Sequence, residues 1–200
     1  MAKSDKSKSS KQEGYVIDLP LYTKSLTDYL KGSIARFAAE RPDVEVSCIA
    51  FYFTTYGSSV YIIYETQSHS DAWVKKHQGN KDYSYSIGKD AAGLFNKLPN
   101  DFEFAQHDEF VFEGLPNFYE VKWPVKFRSL EGKVKKVDSY DQSVGRVLLK
   151  SFEPALKSFN EFGNLKRPSV FRMGIQVHNT NCEAFWLHSN PETGKRRAAK

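Results

Sequence analysis

Two cysteines in 200 residues exclude a disulfide framework as the source of stability. The longest apolar runs fall far short of the length that crosses a bilayer. There is no P-loop, no G-x-G-x-x-G stretch and no G-x-S-x-G elbow, so neither a phosphate cradle nor a serine nucleophile is written into the chain. No N-x-[ST] sequon occurs, and the start MAKSDKSKSSKQEG lacks the apolar centre of a secretion signal. Together these absences point to a reducing cytosol, with Cys48 and Cys182 not bonded to each other. No catalytic residue, metal or cofactor is assigned.

What is present is a core. The hydrophobic share is 40% and the aromatic share 14%, enough for one domain of ordinary size. The formal net charge of +5 belongs to the ends. Of 29 basic and 24 acidic side chains, residues 1–13 hold four and two and residues 191–200 hold four and one, leaving 21 of each between. The expected division is therefore a disordered basic tail over 1–14, a single α+β domain over 15–190 and a disordered basic tail over 191–200. Nucleic acid would be met weakly and through the tails alone.

The chain is organised around residues 44–66. Two runs rich in β-branched and aromatic residues, Val44–Thr54 and Ser59–Thr66, flank a short turn containing Gly57, the pattern of two adjacent antiparallel strands. Cys48, Ala50 and Tyr52 alternate with Ile49, Phe51 and Phe53, so this strand is apolar on both faces and should lie centrally, covered on both sides.

Before it, Tyr22, Leu26, Tyr29, Leu30, Ile34 and Phe37 fall at helical spacing between Leu21 and Glu40, and Pro42 ends the stripe. Short helices are expected over His69–Gln78, capped by Ser70, and over Asp90–Leu98. Phe102–Phe112 reads as extended, and 126–139 is basic and weakly patterned. A long helix over 141–162 contains Pro154, which should kink or split it. Two closing strands, Ser169–His178 and Ala184–His188, complete the pattern. The fold class is α+β, a mainly antiparallel sheet packed by two long helices with short extra helices.

Three constellations invite a chemical reading. His178, Cys182 and His188 give H-x3-C-x5-H, one ligand short of a structural zinc set. His107, Asp108 and Glu109 supply an imidazole and two carboxylates for acid–base work. On a regular strand, though, His107 and Glu109 share a face and Asp108 points away. This is the alternative reading, a hydrolase or nucleic-acid-processing enzyme with a scattered site. Third, Asp101, Glu103, Asp108, Glu109, Glu113 and Glu120 lie within twenty residues with no Lys or Arg among them, interleaved with Phe110, Phe112, Phe118 and Tyr119. Such a segment suits a basic protein partner, with charge setting the approach and aromatics as anchors. It also suits a strand edge protected from aggregation.

The stretch ARFAAERPDVEVSCIAFYFTTYG, and the later long helix leading to a strand pair that closes at FWLHSNPETG, resemble a group of uncharacterised bacterial α+β domains often found near toxin and immunity loci. The resemblance covers about residues 20–191 and leaves 100–140 unmatched. It implies a small cytosolic, non-enzymatic protein-binding domain, with an immunity protein that neutralises a toxin as its narrower form, and it assigns no catalytic residues.

Overall fold

The computed structural model describes residues 15–54, 59–116, 120–129, 131–138, 142–178 and 183–189, without the side chains of Gln106, Gln142, Ser143, Val170 and Ser189. The two expected tails, the turn at 55–58 and Phe118, Tyr119 and Cys182 lie outside them.

A short strand β1 (Val16–Asp18) leads directly into α1 (Leu19–Glu40). The helix starts at Leu19, two residues before Leu21, because Asp18 caps it. Its carboxylate accepts the Leu21 N–H at 3.1 Å, and Pro20 supplies a pre-set φ in the first turn. Tyr22, Leu26, Leu30, Ser33, Ile34 and Phe37 are buried along one stripe. Each fully buried aliphatic or aromatic side chain there contributes about 1.5–3 kcal/mol. At the far end the Arg41 N–H closes on the Phe37 carbonyl at 2.9 Å, ahead of Pro42.

The main sheet has five strands, ordered β10 (Glu183–Ser189), β9 (Val170–Val177), β2 (Val46–Phe53), β3 (Ser59–Thr66) and β6 (Phe104–Val111). β2 is central, as its two apolar faces required, and every residue of it is buried. Antiparallel pairing dominates, yet β2 and β9 run parallel, so the sheet is mixed. The long excursion between β3 and β9 is what permits a parallel return.

On one face lie α1 and α3 (Gln142–Lys157), with Phe152 packed edge-on against Phe51 at 5.1 Å. On the other, Cys48, Ala50, Tyr52, Ile63 and Phe102 form a smaller cluster. Over that side lie α2 (Gln67–His77) and the hairpin β4 (Ile87–Asp90) with β5 (Gly93–Asn96). The hairpin replaces the helix expected over Asp90–Leu98. The Asp90 carboxylate accepts the Ala92 N–H at 2.9 Å, and Gly93 takes a φ of 117°, which turns the chain back on itself. α2 is capped by Thr66 rather than Ser70, whose buried hydroxyl instead accepts the Asn96 N–H at 3.0 Å.

The basic stretch 126–139 forms β7 (Val125–Arg128) and β8 (Val134–Val137), which join β1 in a separate three-stranded sheet beside the start of α1. Pro154 sits in the last turn of α3, where it has no N–H to give the Lys150 carbonyl, and the helix stops at Lys157 instead of continuing to 162. Phe159 and Phe162 follow in irregular chain and still reach the core. No described helix is long and apolar enough to cross a membrane.

Candidate protein interface

β6 pairs with β3 and forms one edge of the five-stranded sheet. Its register is broken. Ile62 opposes Asp108 while Tyr64 opposes Phe104, so two steps along β3 match four along β6. The extra residues form a bulge that resets the alternation of side chains. Regular spacing would place His107 with Glu109; the bulge instead brings His107 to the helix-facing side, together with Phe104 and Asp108.

There His107 is almost enclosed. Its ring meets Phe37 at 4.9 Å and Tyr64 at 5.3 Å, both edge-on, and its side chain is 9% exposed. Nε2 lies 3.6 Å from the Asp108 Oδ2, and Nδ1 lies 4.0 Å from the Glu40 carboxylate. Burial pulls the imidazole pKa below its ordinary value, against the opposing pull of Asp108 and Glu40. Asp108 is held from the other side: Arg36 Nη2 donates to its Oδ1 at 3.0 Å, and the Tyr29 hydroxyl donates to the Glu109 carbonyl at 2.8 Å. The acid run therefore draws its counter-charge from α1, which its own twenty residues do not contain.

Other acids of the segment are also engaged. Asp101 accepts from the Trp73 indole at 3.0 Å, and Glu103 accepts from the Thr66 hydroxyl. Glu65, buried beneath them, accepts from the Thr66 amide at 3.0 Å and lies 2.9 Å from His69 Nδ1. Burial raises the Glu65 pKa, and the bond to His69 works against that rise.

Of the aromatic anchors expected here, Phe110 and Phe112, the two that are described, pack into the core. Phe110 is 6% exposed and packs against Tyr29 at 5.3 Å, while Phe112 meets Tyr22 edge-on at 5.2 Å. They face inward because Phe110 opposes Val60, on the helix-facing side of β3. What faces solvent is Glu109, Val111, Glu113 and Glu120, with Val111 55% exposed. Glu109, Glu113 and Glu120 pair with no cation among the described residues.

The histidines of the H-x3-C-x5-H run do not converge. His178 bonds the Tyr52 hydroxyl, whereas His188 packs on Phe162 and Phe171, which belong to the core on the other face of the sheet. Cys48 is a free buried thiol whose pKa is pushed up by burial.

One concavity has no counterpart in the sequence reading. A cleft of about 880 Å³ opens between the first turns of α1, the β7–β8 hairpin and α3. The alternation of Val125 and Phe127 marks β7, the strand that supplies one of its walls. The surrounding lysines concealed that alternation.

No protein-family model matches the chain, and neither a curated protein nor a solved structure matches it significantly.

Proposed function

We propose that the chain is a non-enzymatic protein-binding domain that offers the outer edge of β6 to a basic partner. One observation carries the reading. At the end of an eight-residue edge strand Glu109 and Val111 are exposed, as is Glu113 in the turn just beyond it, and both acids lack a cation among the described residues. An extended segment of a partner can add to such an edge through main-chain hydrogen bonds, while unpaired acids steer a basic chain toward it. Val111 takes the place of Phe110 and Phe112, which are committed to the core. The narrower form, an immunity protein that covers a basic toxin, is supported by the same surface and by the layout resemblance over residues 20–191.

The test is a photo-reactive amino acid placed at Val111 in the source organism, with the same group at exposed Tyr85 as control. The expected result is a discrete adduct with a basic protein at position 111 alone, lost when Glu109 and Glu113 are both changed to Lys. Absence of an adduct, or one indifferent to those two charges, removes the proposal.

A second reading, acid–base chemistry at His107, is favoured by the pairing of its Nε2 with Asp108 Oδ2 across 3.6 Å, neither atom having a hydrogen-bond partner among the described residues. A concavity of about 420 Å³, lined in part by Arg41, Glu103 and His107, lies beside them. If His107→Phe leaves partner binding intact but abolishes turnover of a substrate, this second reading replaces the first.

A further inference from the structure

The cleft between α1, α3 and the β7–β8 hairpin combines apolar walls with lysines. Its walls are Leu19 and Pro20 at the start of α1, Phe127 from β7, Val134 from β8, and Val147 and Ala155 from α3. Lys24, Lys133, Lys135 and Lys150 line it as well, against a single carboxylate, Glu131. Two of these lysines are already engaged: Lys24 pairs with Asp28 at 2.6 Å, and Lys133 pairs with Glu131. Lys135 and Lys150 are exposed, stand on different walls and have no carboxylate partner among the described residues.

An ordinary solvated lysine face does not explain an apolar hollow of this size beneath the charges. Ligand pockets typically measure about 300–1,000 Å³ and combine mainly apolar walls with a few placed polar groups. Polar side chains able to read a sugar or a base are scarce: among the described residues the lining holds four hydroxyls, one carboxylate and no amide or guanidinium. The one aromatic ring among the described lining residues, Phe127, is 1% exposed and presents no stacking face to solvent. The chemistry that fits is a long apolar body with one anionic end.

We infer that this cleft is a binding site for a long-chain fatty acid, the alkyl chain lying along Pro20, Val134, Pro154 and Ala155 and the carboxylate held between Lys135 and Lys150. The exposed wall of Val134, 52% accessible on its own, is covered when the chain is in place. Burial of the alkyl chain supplies the affinity, and the two lysines set the orientation and the preference for an anion. This site is separate from β6 and stands independently of the proposal for that strand.

The test is calorimetric titration of the delipidated full chain with palmitate, with hexadecyltrimethylammonium, which has the same chain length and the opposite charge, and with butyrate. Palmitate is expected to bind with one-to-one stoichiometry, the cation at least about tenfold more weakly, and butyrate not measurably. Lys135→Glu with Lys150→Glu should lower palmitate affinity by about tenfold or more without moving the melting temperature, because both side chains are exposed and unpaired. Val134→Glu, which places a carboxylate on the apolar wall, should do the same. The inference is overturned if palmitate does not bind, if the cation binds equally well, or if binding survives both the double lysine variant and Val134→Glu.

Discussion

His107 and Asp108, neighbours in sequence, place Nε2 and Oδ2 3.6 Å apart on the same side of the sheet. Consecutive residues of a regular strand point to opposite faces, so this pairing exists because β6 bulges between its contacts with Ile62 and Tyr64. The result is a nearly enclosed imidazole beside an ion pair that fastens α1 to the sheet edge.

That enclosure has a pH signature. The ordinary value for His107 is 6.5, and burial lowers it in the folded chain. Between the lowered and the ordinary value, the unfolded state carries more protons, so stability rises with pH through that window and falls as pH drops below 6.5. The slope from this residue is at most about 1.4 kcal/mol per pH unit. His107→Phe keeps a ring against Phe37 and Tyr64 and removes the titration. Urea unfolding of both proteins between about pH 5 and pH 7 should show the variant losing less stability at the acid end than the parent. Parallel curves would contradict the assignment.

Asp108 and Glu109 are adjacent acids with different roles. The Asp108 side chain is 13% exposed and bonded to Arg36, whereas Glu109 faces water with no cation beside it among the described residues. Asp108→Lys sets an ammonium against Arg36 and should cost about 2 kcal/mol or more. Glu109→Lys should fall within about 0.5 kcal/mol of the parent. Denaturant midpoints measure both, and equal effects would mean that the ion pair does not hold α1 to β6.

On the opposite face, Arg172 is 4% exposed, makes a paired contact to Asp90 at 2.8 and 3.0 Å, and stacks on Phe95 at 4.4 Å. These contacts attach the β4–β5 hairpin to the sheet. Asp90→Ala leaves a buried guanidinium uncompensated and should cost about 3 kcal/mol. Adding Arg172→Met removes that charge and keeps a long apolar side chain over Phe95, so the double variant should be more stable than Asp90→Ala alone. If the double variant is less stable, the contact to Asp90 is not the dominant interaction of Arg172.

The parts of the fold governed by periodicity could be read from the chain. Ile49, Phe51 and Phe53 against Cys48, Ala50 and Tyr52 located the central strand, and the stripe from Tyr22 to Phe37 located α1. The parts governed by local turn chemistry could not. The Asp90–Gly93 turn converted an expected helix into a hairpin, and the cap of α1 lay at Asp18, before the apolar stripe began. The bulge in β6 depends on pairing with β3, which no stretch of β6 encodes by itself, so the facing of His107 was inverted. Reading the acid run in isolation also missed Arg36, which lies 72 residues earlier in the chain than Asp108. Phe110 and Phe112 were legible as aromatics; their direction became visible only once β6 was set against β3 and Tyr22.

The most direct measurement is the association rate of the partner captured at Val111, followed by stopped flow at low and high salt. If β6 is the docking edge, changing Glu109 and Glu113 to Lys should slow association by about tenfold or more at low salt and flatten or reverse its salt dependence. Melting of the unbound variant should match the parent, since both side chains are exposed and pair with no cation among the described residues. An unchanged association rate, with unchanged salt dependence, would contradict the account and leave these acids as protection of a free strand edge.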